Sequence, residues 1–244
     1  MKICKIFGVP FANITPDEAV DNVVSFLNDG KKHMVFTPNP EMIMEACKNE
    51  EFFNILNKSS MNVPDGIGVV YASKLTDSPI KYRVAGYDMM LGVFDKIKDT
   101  DKRVYFFGGA PEIADRAKKA IEQKYSGIKI VGTANGYFDS NREKEIIDEI
   151  NSLDVDLLLV GIGFPKQEKW IADHLDELNI SVGVGVGGSF DGWCGNVPRA
   201  PKFFVDHGLE WFYRLIKQPS RIGRMMQLPL FMLKVIFYKL RGKL

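Results

Sequence analysis

The chain has 244 residues, 45% hydrophobic and 26% charged, which excludes a disordered protein and leaves room for one large domain plus an appendage. A formal net charge of +1 gives no global pull toward nucleic acid, so no nucleic-acid partner is expected. The charge is uneven: residues 211–244 hold eight Lys/Arg and no Asp or Glu, against 24 basic and 31 acidic residues in 1–210, a pattern that fits an anionic surface as partner.

Two short strands are predicted at Ile3–Phe7 and Pro10–Asn13. Thr15-Pro16-Asp17-Glu18 then opens a helix, with a Thr15/Glu18 capping box and proline at the first helical position. Ala19, Val23 and Leu27 share its apolar face, and Asn28-Asp29-Gly30 ends it. From there strands and helices alternate. Strands are predicted at Met34–Thr37, Met61–Val63, Val104–Phe107, Ile128–Gly132, Leu157–Val160 and Ser181–Val186. Helices are predicted at Pro40–Lys48, Ile67–Leu75, Tyr87–Ile97, Pro111–Lys124, Arg142–Asn151 and Lys166–Leu178. Continuously apolar strands between helices predict an α/β fold, a Rossmann-like, mostly parallel sheet with helices on both faces. Gly, Pro and Arg cluster near Gly195–Pro201, which divides a core over 1–195 from a helical, basic C-terminal appendage over 196–244.

Three cysteines, Cys4, Cys47 and Cys194, form no CxxC pair and fit a reducing, cytoplasmic setting. The start lacks the apolar run of a signal peptide, and the most apolar stretch, Leu228–Leu240, is interrupted by Lys234 and Lys239. The expected location is therefore peripheral on the inner face of the cell membrane.

In an open α/β sheet, ligands bind beyond the carboxyl ends of the strands. The turns there are polar or glycine-rich: Thr37–Pro40, Pro64-Asp65-Gly66, Gly108-Gly109, Asn135-Gly136-Tyr137, Gly161–Gln167 and Gly187–Asp191. Glycine lets a ligand approach the backbone, and helix N-termini offer N–H groups to phosphate. One such turn signifies only a tight bend, but several along one edge point to a nucleotide-type ligand. Gly183, Gly185 and Gly188 fit GxGxxG, so a nucleotide-dependent oxidoreductase is the main rival reading, although the first two glycines fall inside a strand. His33, His174 and His207 lack metal-ligand spacing, and no metal is expected.

Asp65 stands between a proline and a glycine after a short strand, where it is either a helix cap or a base for an attacking hydroxyl. Thr37 and Asn39 have the same two options, and Asp191 is either a turn residue or a partner for a sugar hydroxyl. Arg83 carries a guanidinium fork suited to a diphosphate, or else makes a surface ion pair. Gln167 lies at a helix start. In the tail, Arg214, Lys217, Arg221 and Arg224 would form one stripe on a continuous helix, among Trp211, Phe212, Tyr213, Leu215, Ile216 and Ile222. Such a mixture suits an anionic lipid surface, and a non-enzymatic lipid-surface binding protein is the second rival.

Together, in order, Thr37-Pro38-Asn39-Pro40-Glu41, Pro64-Asp65-Gly66-Ile67-Gly68, Arg83-Val84-Ala85-Gly86, Phe107-Gly108-Gly109, Gly161–Glu168, Gly187–Asp191, Arg199-Ala200-Pro201 and Gly208–Trp211 resemble the WecG/TagA/CpsF glycosyltransferase family, and most closely its members in wall teichoic acid synthesis. The resemblance spans nearly the whole chain. It implies an inverting transfer of N-acetylmannosamine from UDP-ManNAc to undecaprenyl-diphosphate-GlcNAc, giving a β-1,4 linkage without a metal or other cofactor. It implies Asp65 as general base and Thr37, Asn39, Arg83 and Gln167 lining the site. Gly108, Gly109, Asn135, Gly136, Tyr137, Gly161, Gly163, Gly187, Gly188 and Asp191 would hold the UDP-sugar. Arg214, Arg221 and Arg224 would meet the lipid diphosphate or the membrane. A homo-oligomer is compatible with the sequence.

Overall fold

The computed structural model describes residues 2–198, 200–201, 203–204, 210–217, 223 and 226–241. Six strands, β3 (His33–Phe36), β4 (Met61–Asn62), β5 (Arg103–Gly108), β6 (Lys129–Ala134), β7 (Leu157–Gly161) and β8 (Val182–Gly185), form one parallel sheet. Their order is β4-β3-β8-β7-β5-β6. β1 (Ile3–Ile6) and β2 (Val9–Ala12) form a separate antiparallel hairpin.

The strand sequences explain the layering. Every residue of β3 and β8 is buried, as a parallel strand covered on both faces requires. Successive side chains point to opposite faces, so one core takes Phe36, Phe107, Leu158 and Val160 while the other takes Val35, Phe106, Leu157, Leu159 and Val184. The helices are α1 (Pro16–Phe26), α2 (Pro40–Ala46), α3 (Glu50–Lys58), α4 (Ile67–Ser73), α5 (Gly86–Ile97), α6 (Ile113–Lys124), α7 (Ser140–Ser152), α8 (Lys166–His174) and α9 (Ser189–Trp193). The Thr15/Glu18 capping box opens α1 as its sequence predicts. α3 has no counterpart in the sequence reading, and the predicted helix from Lys166 stops at His174 instead of Leu178.

The connection after β5 runs outward to β6, whereas the one after β7 runs the opposite way to β8. The crevice between β5 and β7 is therefore the topological switch point, where ligands of such sheets bind.

Two further helices are described near the C-terminus, α10 (Glu210–Lys217) and α11 (Gln227–Leu240). Arg214 and Lys217 belong to α10, while Arg221 and Arg224 lie outside the described residues, as does Arg199. α11 packs against α2 and α4 and buries Phe231 and Val235 in the first core. Phe7, in the β1–β2 turn, meets Phe231 and Tyr238 edge-on at 6.1 and 5.1 Å. The opposite face of α11 leaves Leu230, Leu233, Ile236, Phe237 and Leu240 exposed. Among the described residues, no helix is long and apolar enough to cross a membrane.

Candidate active site

Three segments meet beyond the ends of β3 and β4. The Asp65 N–H donates to the Pro38 carbonyl at 3.3 Å, and the Val84 N–H to the Pro64 carbonyl at 3.0 Å. These bonds bring Thr37, Asn39, Asp65 and Arg83 to one edge. Asn39 caps α2, its Oδ1 accepting from the Met42 N–H at 3.0 Å. Thr37 packs its methyl group against Gly86, where an added Cβ would lie 2.7 Å away.

Asp65 is not the helix cap that one reading of its sequence suggests. The N-cap of α4 is Gly66, with φ +90° and no side-chain hydrogen bond. The Asp65 carboxylate instead accepts from Arg83 Nη2 at 3.5 Å. Their side chains keep 32% and 21% exposure, so a substrate approaching from solvent can reach both.

At the switch point the glycine turns brace one another. The Gly109 N–H donates to the Gly161 carbonyl at 3.0 Å, and the Gly136 N–H to the Gly109 carbonyl at 2.8 Å. Gly108 has φ +138°, and a Cβ there would lie 2.4 Å from the Gly161 backbone. These amides are therefore spent within the protein, and glycine here serves the close approach of one turn to the next. Asn135 closes its own turn by accepting from the Tyr137 N–H at 3.0 Å, and Tyr137 is exposed. Gly163 sits at φ +82°. Asp191 lies in α9, its Oδ1 accepting from Asn196 Nδ2 at 2.8 Å.

Between these two regions lies the turn after β8. The parallel pairing of Val35 with Val184 places the segment after β3, which carries Thr37, beside this turn. Gln167 is buried beneath it, and its Oε1 accepts from the Gly187 N–H at 3.0 Å. Gln167 Nε2 donates to Glu168 Oε1 at 2.7 Å. Glu168 is fully buried, and burial pushes its carboxyl up to about 7 against the smaller opposing effects of the Gln167 hydrogen bond and of its own backbone N–H. Glu168 is the residue the sequence reading gives no role, because an acid in the first turn of a helix looks like a surface residue facing the helix dipole.

The first two glycines of the GxGxxG match have other duties. An added Cβ at Gly183 would lie 2.8 Å from Ile171, and one at Gly185 2.9 Å from Gln167 Nε2. They admit α8 close to β8, which removes the dinucleotide fingerprint. Among the described residues, no group of three or more His, Cys, Asp or Glu is arranged to hold a metal ion.

The profile of the glycosyl transferase WecG/TagA/CpsF family matches residues 4–244. A Bacillus spizizenii protein named N-acetylglucosaminyldiphosphoundecaprenol N-acetyl-beta-D-mannosaminyltransferase is 37% identical over 212 residues, covering 87% of this chain and 82% of its own. A Bacillus subtilis protein of the same name is 35% identical, covering 95% of this chain and 90% of its own. One from Staphylococcus aureus, also so named, is 33% identical, with 94% and 91% covered. The chain belongs to the WecG/TagA/CpsF family of glycosyltransferases.

Proposed function

We propose that the chain transfers N-acetylmannosamine from UDP-ManNAc to the C4 hydroxyl of GlcNAc-diphosphate-undecaprenol, with inversion to a β-1,4 linkage, in wall teichoic acid linkage-unit synthesis. The observation that carries this reading is Asp65: a partly exposed carboxylate, released from capping duty, beside Arg83 at the ligand edge of the sheet. The names of the relatives supply the acceptor and the sugar.

Inversion needs a single displacement and one base. Asp65 takes the proton from the acceptor hydroxyl as its oxygen attacks the anomeric carbon. The bond to UDP breaks, and the diphosphate gains negative charge. Arg83 meets that charge with its planar fork. Thr37 and Asn39 line the acceptor side, Asn39 through its Nδ2, because Oδ1 is committed to the cap. The turns at the ends of β5, β7 and β8 receive the UDP, and Gln167 fixes the last of them. We infer that these groups suffice without a metal; chelation with EDTA leaving turnover unchanged is the expected result.

The chain works at the inner membrane face in this reading. The exposed apolar face of α11, with Lys234, Lys239 and Arg241 on the same helix or just beyond it, supports docking on anionic lipid. Arg214, Arg221 and Arg224 are proposed to meet the lipid diphosphate.

The test is UDP release from UDP-ManNAc with a prenyl-diphosphate-GlcNAc analogue, run in parallel with UDP-GlcNAc and UDP-GalNAc. Acceptor-dependent release from UDP-ManNAc alone is expected. Release from none of the three contradicts the donor assignment.

A further inference from the structure

Gln167 spends its amide on the protein. Its carbonyl end takes the Gly187 N–H at 3.0 Å, and its amino end reaches Glu168 Oε1 at 2.7 Å. Only one orientation of the amide satisfies both neighbours: the Gly187 N–H needs an acceptor and the Glu168 carboxyl oxygen needs a donor. Turning the amide over would set its NH2 against the Gly187 N–H and its oxygen against the Glu168 oxygen. The whole group is enclosed, with Gln167 4% and Glu168 0% exposed.

The position is costly for a carboxyl group. Among the described residues, Glu168 Oε2 has no hydrogen-bond partner and no neighbouring charge contributes to the upward displacement of its titration. β8 also makes room for it: Gly185 faces the pair, and a Cβ there would lie 2.9 Å from Gln167 Nε2 and 3.0 Å from Glu168 Oε1. A methionine of similar volume would fill the same space without a buried carboxyl, but it would leave Gln167 Nε2 without its acceptor. What Glu168 adds over such a residue is an acceptor aimed at one end of the Gln167 amide.

We propose that Glu168 is a positioning residue for the donor site: it fixes the orientation of the Gln167 amide and thereby the Gly187–Gly188 turn that receives the UDP-sugar. The chain of action is Glu168 Oε1, Gln167 Nε2, Gln167 Oε1, Gly187 N–H. Without the acceptor on Glu168 the buried Gln167 Nε2 is left unpaired, the side chain shifts to find another partner, and its hold on the Gly187 N–H loosens. Glu168 never touches substrate, so its influence falls on donor affinity more than on the chemical step. The inference rests on the glycosyltransferase reading for the ligand that the turn receives.

The test compares Glu168→Met, Glu168→Gln and Gly185→Ala with the unsubstituted protein. UDP binding is measured by calorimetry, turnover with UDP-ManNAc and acceptor analogue, and folding by thermal melt. Glu168→Met removes the acceptor while sparing the core a buried carboxyl. It is expected to fold and melt in one transition, weaken UDP binding and raise the donor KM about tenfold, and change kcat less than about threefold. Glu168→Gln retains an oxygen that can accept from Gln167, and is expected to stay within about twofold of the unsubstituted protein in UDP affinity, donor KM and kcat. Gly185→Ala pushes on the amide from the strand side and is expected to reproduce the donor-affinity loss with Glu168 intact.

A folded Glu168→Met with unchanged UDP affinity and KM overturns the proposal. So does an equal loss in the Gln and Met variants, which would assign the effect to the ionised carboxylate and not to an acceptor. If Glu168→Met does not fold, Gly185→Ala decides in the same way. If the unsubstituted protein neither binds UDP nor releases it, the transferase reading fails and takes this inference with it; normal binding by the unsubstituted protein confines any failure to Glu168.

Discussion

The two ends of the ligand edge are built from different materials. Beyond β3 and β4, side chains face outward: Asp65 and Arg83 pair at 3.5 Å and both stay partly exposed. Beyond β5 and β7, the backbone does the work, and Gly108, Gly109, Gly136 and Gly161 hold turn against turn. An exposed polar side chain is cheap to fold around and expensive to lose from the reaction. A glycine wedged against another backbone is the reverse. Substitutions should therefore separate cleanly, with lost turnover in a stable protein at the first end and lost stability at the second.

The largest expected effect is at Gly108. Alanine there would bring Cβ to 2.4 Å from the Gly161 backbone at φ +138°. A loss of about 4 kcal/mol is expected, or a melting temperature lower by roughly 8–16 °C. An unchanged melt would contradict this close packing of turn on turn.

The turn after β8 lies between the two ends, and pH reads its character. Burial raises the Glu168 carboxyl to about 7 in the folded protein from an ordinary value of 4.5. The folded state thus holds the proton more tightly than the unfolded chain. Its favourable contribution is complete below about pH 4.5 and is lost as pH rises through about 7. Glu168→Gln has no such group, so relative to the unsubstituted protein it should gain up to about 3 kcal/mol between pH 4 and pH 8. Denaturant melts at the two pH values check this, and a constant difference would contradict it.

At the side-chain end, Arg83→Lys keeps the charge but loses the fork. Turnover is expected to fall about 30-fold, roughly 2 kcal/mol, with the melting temperature held. The smallest effect is at Asn39, where alanine should cost about 1 kcal/mol of stability through the lost cap. Asn39→Asp caps equally well and should melt like the unsubstituted protein, yet lose turnover because it presents no Nδ2 donor. If Asn39→Asp keeps full turnover, Asn39 is a cap alone.

Much of this was legible in the sequence. Continuous apolar runs such as Leu157–Val160 mark strands covered on both faces, and the capping box at Thr15 marks a helix start. The ligand edge follows from the polar and glycine-rich turns between them. α3 escaped although its signals are present: Asn49 caps it, Glu50 and Glu51 fill its first turn, and Phe52, Ile55 and Leu56 share its buried face. It begins two residues after Lys48, the end of the helix predicted from Pro40, and no glycine or proline between them marks a new element. The burden on Gly183 and Gly185 was not legible, since a strand glycine that admits a helix looks the same as one that admits a ligand. Burial of Glu168 was hidden for a similar reason, because it depends on α8 settling against β8. Pairing of Asp65 with Arg83 joins loops 18 positions apart, and no local pattern announces it.

The proposed division of labour makes Asp65 the base at the side-chain end, with UDP held elsewhere. The most direct measurement is Asp65→Asn, assayed together for UDP affinity by calorimetry and for acceptor-dependent UDP release. UDP affinity within about threefold of the unsubstituted protein is expected, with turnover lower by about 10³-fold. Turnover that survives the substitution, or UDP affinity that collapses with it, would contradict that division of labour.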